Sequence, residues 1–430
     1  MDRRSFLVRG GASLAALSAL GSARGESRGA AVGERTTPED VSTWEGIQAE
    51  FDLDPDLINM SMFFLASHPR CVRGAIDQHQ RGLDANPLGY YHDVGGECVR
   101  GVREAAGAYL GVSPGDIALT DSTTMGLATM YNTIALGGGQ EILTTTHDHP
   151  VTIRSLKYRA NRTGARVRTV ALYDDASQAD AGAIVDRLRA EIAPNTRILA
   201  CTWVHSCTGV KMPIRAMADA IATINRSRKE QDRIILCVDG VHGLGIEDVT
   251  LPELGCDFFA GGTHKWIFGP RGTGVLWGRP EVQHLVTPTI PPFVRGGVDD
   301  TTPWGEFMTP GGFHSFEYRW ALGEAFAFHQ RIGKARVEAR IHALNRQLKE
   351  GLAAMDHVHL HTPVSDELSA GINCFEVSGM SPRQVVDRLA EDGIVASQSP
   401  YRPSYPRLAP SLLNNESQVE ACIRAVGALG

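Results

Sequence analysis

The chain has 430 residues, 43% of them hydrophobic and 46 of them glycine, so it can bury a large core and form more than one domain. Its 42 basic and 49 acidic residues give a net charge of -7. This balance argues against a basic nucleic-acid-binding surface and against an acidic chaperone-like tail, and it favours a small-molecule partner.

The first stretch of the sequence has the features of an export signal. Arg3 and Arg4 precede an apolar run over residues 10–20 and a small-residue end at 21–23. This pattern predicts a twin-arginine signal and linker over residues 1–30, and therefore a mature protein that works in the periplasm or is otherwise exported. The run is too short and too weakly apolar for a membrane span. An uncleaved amphipathic tail is the alternative interpretation.

From residue 69 onward, helical patterns alternate with short apolar strands. Helices are predicted at 182–192 and 214–224. Strands are predicted at 117–119, 141–144, 166–171, 198–203, 234–238, 257–259 and 274–277. This order predicts an α/β fold in which a mostly parallel, seven-stranded sheet is covered on both faces.

The C-terminal third has a different pattern. Strands and loops without clear periodicity are expected from 280 to 312. Two helices near 320–332 and 336–355, a strand at 371–377 and a helix at 382–392 then predict a smaller α+β domain. We assign the large domain to 69–300, and the small domain to 43–68 together with 310–430.

The eight cysteines show no CxxC or metal-binding spacing, and several lie within apolar runs. We therefore predict buried thiols and no metal site.

Polar residues that follow the predicted strands are candidate site residues, because open parallel sheets bind ligands at the carboxyl ends of their strands. Asp239 ends the apolar run 234–238, and it is either a turn or helix-capping residue or the partner of a protonated ring nitrogen. His242 follows three residues later. Lys265 lies between two glycines and an aromatic wall, a setting that suits a desolvated amine better than a surface lysine. Desolvation lowers the pKa of a lysine and favours Schiff-base formation with an aldehyde.

An aldehyde cofactor with a phosphate, pyridoxal 5'-phosphate, fits two further segments. The strand at 117–119 runs into hydroxyl residues, including Thr123 and Thr124, that open a helix and can bind an anion. After the strand at 141–144, His149 can cover a planar ring. Metal binding by His147 and His149 is the competing idea, and the absence of an obvious third ligand nearby argues against it.

The segments VDGVHGLG and DFFAGGTHKWIFGPRGTGVLW resemble the Asp-x-x-His/Gln and Ser/Gly-x-His-Lys motifs of the class V aminotransferase family of fold-type I pyridoxal-phosphate enzymes, and the resemblance covers about residues 59–419. It implies that Lys265 carries the Schiff base and that Asp239 holds the pyridine nitrogen. It also implies that the cofactor's ring stacks under His149 and that His242 and Ser206 face its phenolic oxygen. The cofactor's phosphate would be held by Thr123, Thr124 and His264. The resemblance further implies that the enzyme is a homodimer.

The segment PRLAPSLLNNESQVE resembles the family's Arg-x-Ser-x-x-x-Tyr-Asn-Thr segment, which implies that Arg407 binds the substrate's α-carboxylate; Arg402 is the alternative. Three departures from the family pattern stand out. The loop at 397–407 lacks the cysteine of the cysteine desulfurases, the family's Gly-Thr is replaced at 312–314, and the turn at 59–62 differs from that of the epimerase-like members.

The resemblance is strongest to the isopenicillin N epimerase-like branch, which implies chemistry at the α-carbon of an amino acid or peptide amino group. A second acid/base would then be needed, and the candidates are Tyr90, Tyr91, His92 and His314. The predicted export signal favours an equal alternative, periplasmic tailoring of a pyoverdine-type siderophore side chain by transamination or oxidative decarboxylation. A carbon–sulfur lyase and a catalytically inactive ligand-binding protein are the remaining alternatives.

Overall fold

A seven-stranded sheet lies at the centre of the fold. The computed structural model describes residues 40–294 and 296–430, so the predicted signal at 1–30 lies outside the described residues. The strands are β1 Ile58–Asn59, β2 Ile117–Thr120, β3 Glu141–Thr145, β4 Arg166–Val170, β5 Thr196–Thr202, β6 Ile235–Asp239, β7 Phe258–Gly262, β8 Gly274–Gly278, β9 Val358–Leu360, β10 Asn373–Val377, β11 Ile394–Val395, β12 Ser397–Gln398 and β13 Pro406–Leu408.

Helices surround the sheets and connect their strands. They are α1 Trp44–Ala49, α2 Arg70–Ala85, α3 Pro87–Leu110, α4 Thr123–Thr133, α5 Pro150–Thr163, α6 Ala181–Glu191, α7 Ile214–Asn225, α8 Leu251–Leu254, α9 Trp304–Met308, α10 Phe316–Ile332, α11 Lys334–Ala353, α12 Pro382–Glu391 and α13 Glu416–Gly427. In the part of the chain that the structure covers, no helix is both long and apolar enough to cross a membrane.

The central sheet has the strand order β2-β8-β7-β6-β5-β3-β4. Only β8 is antiparallel to its neighbours β2 and β7; the other pairs are parallel. All seven predicted strands are present, and the prediction of an α/β fold with a mostly parallel sheet is confirmed.

Two apolar clusters cover the two faces of this sheet. Along β6, Leu236 and Val238 belong to one cluster, whereas Ile235 and Cys237 belong to the other. Successive side chains of a strand point to opposite faces, so a strand that is buried on both sides must be apolar throughout. Asp239, the polar residue that ends this run, therefore lies at the carboxyl end of the strand, where the apolar covering of the sheet stops.

The C-terminal part of the chain builds a second, smaller sheet. Its strands are antiparallel in the order β12-β13-β10-β9, and a third apolar cluster that includes Phe375 and Leu348 packs in this region. The parallel pairing of β1 with β11 and the burial of Met60 in the third cluster connect the segment near residue 59 to this region. The domain boundaries at 68 and 300–310 stay predictions.

The segment 280–312 corrects one expectation. Strands and loops were expected there, but the described residues of this segment form loops, a 3-10 turn at Pro280–Leu285 and the short helix α9. The strand-like pairing observed there is one isolated antiparallel β-bridge, between Val286 and Ile134. Prolines at 291, 292, 303 and 310 explain the difference, because proline cannot donate a ladder hydrogen bond.

Candidate active site

The carboxyl ends of the parallel strands surround a cavity of about 320 Å³, which we call the Lys265 cavity. This location is the one expected for a ligand of an open α/β sheet. All nine residues predicted for the site border the cavity: Thr123, Thr124, His149, Ser206, Asp239, His242, His264, Lys265 and Arg407.

Lys265 follows β7 in a tight turn. The Phe268 N–H donates to the Lys265 carbonyl at 2.9 Å, and the Gly269 N–H donates to the Thr263 carbonyl at 2.8 Å. Phe268 has a φ of 57°, a left-handed conformation that costs a bulky residue roughly 1–2 kcal/mol. Its ring is fully buried and packs edge-on against Phe51 at 5.0 Å. Packing of this ring therefore holds the strained turn that presents Lys265.

The amine of Lys265 is enclosed in the cavity. Burial lowers the pKa of Lys265; the carboxyl group of Asp239 acts in the opposite direction, and the guanidinium of Arg407 lowers the pKa further. A lowered pKa increases the fraction of neutral amine, which is the nucleophilic form. The structure thus agrees with the desolvated setting predicted from the sequence.

His242 contacts the same amine. Its Nδ1 accepts a hydrogen bond from the indole N–H of Trp266 at 3.3 Å, and its Nε2 lies 3.2 Å from Lys265 Nζ. Burial, reinforced by Lys265, holds the pKa of His242 well below its ordinary value, so the ring is neutral. Because Nδ1 is the acceptor, the neutral ring carries its proton on Nε2 and can donate it to the lysine amine when that amine is neutral.

Asp239 ends β6 beneath the cavity. Its Oδ1 accepts a hydrogen bond from the Val241 N–H at 3.2 Å. Burial raises the pKa of Asp239, whereas that hydrogen bond and Lys265 lower it. On the neighbouring strand β5, Thr202 lies opposite Asp239, and its buried hydroxyl has no partner among the described residues. A buried carboxylate beside an unsatisfied hydroxyl is suited to a ligand that brings a hydrogen-bond donor.

A cradle for an anion forms where β2 leads into α4. The Ser122 hydroxyl caps the helix by accepting from the Met125 N–H, and Thr123 Oγ1 accepts from the Gly262 N–H at 2.8 Å. Gly262 is required here, since a Cβ would lie 2.8 Å from that oxygen and 2.9 Å from His264. The Nδ1 of His264 is buried without a partner in the part of the chain described. Burial lowers the pKa of His264 to about 4.

His149 is held by the loop after β3. The buried carboxylate of Asp148 accepts hydrogen bonds from the N–H groups of Thr145 and Thr202, both at 2.7 Å, which fixes this loop. His149 Nδ1 accepts from the Val151 N–H at 3.2 Å and caps α5. His147 instead stacks on Tyr173, with ring centroids 4.0 Å apart, and it does not border the Lys265 cavity. The two histidines thus do not share a site.

Arg407 lies on β13 with 3% of its surface exposed. Its guanidinium donates to the carbonyls of Ser206 at 3.0 Å and Gln398 at 3.1 Å and lies 4.7 Å from the centre of the Phe63 ring. Its Nε is buried without a partner, and among the described residues no carboxylate forms an ion pair with Arg407. Arg402 is exposed and does not border the cavity. Arg407 is therefore the better placed of the two predicted arginines.

Sequence reasoning missed several residues that border the cavity, notably Phe63, Thr202 and Tyr401. The Tyr401 hydroxyl lies 2.7 Å from Ser206 Oγ, and its ring stands edge-on to His149 at 5.6 Å. The one available signal was its place in the loop before Arg407. The four predicted candidates for a second acid/base, Tyr90, Tyr91, His92 and His314, do not border the Lys265 cavity of this chain.

Comparisons with known proteins agree with this geometry. The family model for class-V aminotransferases matches residues 66–408. A probable cysteine desulfurase of Xylella fastidiosa strain Temecula1 is 27% identical over 393 residues, covering 86% of this chain and 89% of that protein. Isopenicillin N epimerase of Streptomyces clavuligerus is 25% identical over 405 residues, covering 90% and 99%. A solved C-DES variant with glycine covalently linked to its PLP cofactor superposes with a TM-score of 0.80 at 22% identity, covering 89% and 99%.

Proposed function

The chain belongs to the class V aminotransferase family, and on that premise we propose that it acts at the α-carbon of an amino acid or peptide amino group. One observation carries the proposal: Lys265, Asp239, Arg407 and the hydroxyl cradle border a single cavity at the carboxyl edge of the sheet. The expectations of this family, of a fold-type I architecture and of an enzyme dependent on pyridoxal 5'-phosphate are confirmed.

The residues of the cavity fit this cofactor. The N-terminus of α4 and the unpartnered Nδ1 of His264 can hold its phosphate, and the carboxylate of Asp239 can hold its protonated ring nitrogen. His149 is positioned to cover one face of the ring. When bound, the cofactor withdraws electrons from the substrate's α-carbon and so acidifies its bonds.

Lys265 is the residue that we propose to move the proton at the α-carbon. Its lowered pKa keeps part of the amine neutral near neutral pH, as a general base requires. The neutral His242 ring donates towards this amine and cannot compete with it for a proton, because its own pKa is lower still. His242 is therefore a positioning group for the free amine of Lys265.

Arg407 orients the substrate in this proposal. Its charge has no carboxylate partner among the described residues, and its Nε is free to donate. A substrate α-carboxylate would supply the missing partner, and planar two-point pairing would fix the α-carbon beside Lys265.

The candidate reactions differ in which group the α-carbon of the product has kept or lost. Similarity to isopenicillin N epimerase over 99% of that protein supports an epimerase-like reaction. The predicted export signal instead favours the siderophore-tailoring alternative. Desulfuration through a persulfide is not supported, since no described residue that borders the Lys265 cavity is a cysteine.

Product analysis in deuterated water tests the proposal. The purified protein is incubated with candidate amino acids and peptides, and the products are analysed by mass spectrometry. Deuterium at the α-carbon with the nitrogen retained supports the epimerase-like reaction, whereas a keto acid or a lost carboxyl group supports transamination or oxidative decarboxylation. If the protein carries cofactor but no amine changes its visible spectrum or yields product, the inactive ligand-binding alternative replaces the proposal.

We also propose that the protein is exported by the twin-arginine route. The arginines at positions 3 and 4 and the apolar run after them support this proposal. Cell fractionation of the wild type and of an Arg3→Lys/Arg4→Lys variant tests it. Export predicts wild-type protein in the periplasm and retention of the variant, and equal fractionation of both would contradict it.

A homodimer is the assembly that we propose. Among the described residues, three phenylalanines are strongly exposed: Phe313 by 87%, Phe293 by 70% and Phe64 by 65%. Phe64 also borders the Lys265 cavity, and the rings of Phe293 and Phe313 lie 6.2 Å apart. Exposed aromatic groups of this kind mark an interface. Light scattering is expected to give twice the chain mass for the wild type and a shift towards monomer for Phe313→Glu. A monomeric wild type would contradict the proposal.

A further inference from the structure

A second cavity of about 410 Å³ lies next to the Lys265 cavity, and we call it the distal cavity. Neighbouring residues of the chain face opposite sides: His149 and Ser206 border the Lys265 cavity, whereas His147 and Cys207 border the distal cavity. Tyr401 is the one described residue that borders both. The two cavities are therefore separated by main chain at 147–149 and 206–207 and by Tyr401.

The Tyr401 ring is held in place from several sides. Its hydroxyl lies 2.7 Å from Ser206 Oγ, and its ring packs edge-on against His149. The loop that carries it is closed at its base, because the Tyr405 N–H donates to Ser399 Oγ and the Ser399 N–H donates to the Tyr405 carbonyl, both at 2.9 Å. The ring thus forms a fixed partition.

The distal cavity is lined by hydrogen-bonding groups. The carboxylate of Asp175 accepts hydrogen bonds from Ser177, which hold its pKa below the ordinary value, so this group is ionised. His147, His359, His361 and the exposed cation Arg402 border the same space. Burial keeps the pKa of His147 at about 3, so its ring is neutral and can accept a hydrogen bond. A head group that donates hydrogen bonds, such as an amide or a ureido group, matches this lining.

We propose that Tyr401 is a specificity-determining residue, a partition that keeps the substrate side chain out of the distal cavity, and that this cavity is a latent subsite for a hydrogen-bond-donating head group. The proposal rests on the proposed function, because the substrate's amine and carboxylate must be held at Lys265 and Arg407. Arg407 and Tyr401 lie on either side of Ser206, because Arg407 donates to the Ser206 carbonyl and the Tyr401 hydroxyl contacts Ser206 Oγ. An amino acid whose carboxylate binds Arg407 can therefore place its side chain next to Tyr401.

The test compares three amino acids as probes: L-alanine, which is short, L-norleucine, which is long and apolar, and L-citrulline, which is long and carries a ureido group. Each is titrated into the cofactor-bound protein, and its dissociation constant is taken from the change in the visible spectrum. In the wild type, alanine is expected to bind more tightly than both long probes. Tyr401→Ala is expected to improve the citrulline-to-alanine affinity ratio by about tenfold or more, a change of about 1.4 kcal/mol that two new hydrogen bonds can supply.

Matched variants separate the partition from other effects. Tyr401→Phe removes the hydroxyl and keeps the ring, so it is expected to keep the wild-type ratio. Adding Asp175→Asn to Tyr401→Ala is expected to reduce the gain for citrulline and not that for norleucine. Tyr401→Val replaces Tyr401→Ala if the alanine variant does not fold.

The outcomes are distinct. An unchanged citrulline-to-alanine affinity ratio in Tyr401→Ala or Tyr401→Val, with alanine binding intact, overturns the role of Tyr401 as a partition. If Tyr401→Phe changes this ratio as much as Tyr401→Ala does, the ring is not what separates the cavities. If citrulline and norleucine gain equally and Asp175→Asn changes neither, the distal cavity is not a polar subsite. If no probe alters the wild-type spectrum, it is the proposed function that fails.

Discussion

The substitution Arg407→Ala tests the proposed substrate orientation most directly. The guanidinium is nearly fully buried, and it donates hydrogen bonds to the carbonyls of Ser206 and Gln398. Its buried Nε has no partner among the described residues, so a ligand can complete its hydrogen bonds. We expect the variant to lose affinity for α-amino acids and to retain the cofactor, because the cofactor's predicted contacts lie on other residues.

The size of the effect follows from the contacts that a carboxylate would make. Hydrogen bonds to charged groups contribute about 1.5–3 kcal/mol each, so a two-point contact is worth about 3–4 kcal/mol at the lower end of that range. This corresponds to roughly a 10²–10³-fold increase in the dissociation constant. Arg407→Lys keeps the charge but loses the planar fork, so its loss is expected to be smaller.

The assay compares L-alanine with ethylamine, the same compound without its carboxylate. Both are titrated into the cofactor-bound wild type and variants, with the visible spectrum as the readout. Arg407→Ala should weaken alanine and leave ethylamine unchanged, whereas Arg402→Ala should alter neither. An equal loss for alanine and ethylamine would mean that Arg407 only supports the fold, through Phe63 and the carbonyls that it contacts.

Three further predictions concern the lysine, the buried acid and a core histidine. Lys265→Ala should bind cofactor non-covalently and lose the visible band that borohydride bleaches in the wild type; a persisting band would assign the Schiff base to another lysine. Asp239→Asn should keep the cofactor and lower turnover by about 10²–10³-fold, the usual cost of removing one preorganised electrostatic contact, and unchanged turnover would remove Asp239 from the mechanism. Burial lowers the pKa of His329 from 6.5 to about 4, so the folded state resists a proton that the unfolded chain accepts. The free energy of unfolding should therefore fall by up to about 1.4 kcal/mol per pH unit as the pH drops from 6.5 to 4. Denaturation of His329→Phe across this range should show a shallower slope, and identical slopes would contradict the assignment.

The sequence predicted the central sheet well because burial on both faces leaves an unmistakable pattern. A run such as 234–238 must be a strand, and the polar residue that follows must lie at the strand's carboxyl end. The site residues at 239, 242, 264 and 265 could be predicted from their position after a buried strand and from their motifs. Their shared cavity is thus a consequence of local sequence together with parallel topology.

Helix α3 shows where local sequence is a poor guide. It spans Pro87–Leu110 and contains five glycines, which disfavour a helix by about 1 kcal/mol each. Three of them lie at close contacts: a Cβ at Gly89 would overlap the Asn86 side chain, one at Gly95 would lie 3.2 Å from Trp320, and one at Gly107 would lie 2.8 Å from the Val112 carbonyl. The contact of Gly95 is with another helix, α10, so tertiary packing accounts for a small residue at that position. This requirement is invisible before the partner is known.

Tyr401 escaped prediction for a related reason. Its loop, 399–405, has no periodicity, and its conformation depends on contacts between Ser399 and Tyr405 and on Ser206, which is distant in sequence. Such contacts join residues that no local pattern connects. The same holds for Phe63, which reaches Arg407 from the other end of the chain.

The charges around the Lys265 cavity explain why its ligands must be anionic. The cavity has two cations, Lys265 and Arg407, against the single carboxylate of Asp239. Burial lowers the pKa of every histidine at its border, and Lys265 lowers each further; these are His149, His242 and His264. The histidines thus add hydrogen bonds without adding charge, and the excess of positive charge stays with the two cations. This excess of one positive charge favours a ligand that brings negative charge, and an amine without a carboxylate leaves the buried guanidinium unpaired. We therefore expect a preference for an α-carboxylate to follow from the charge of Arg407 and not from the shape of the substrate's side chain.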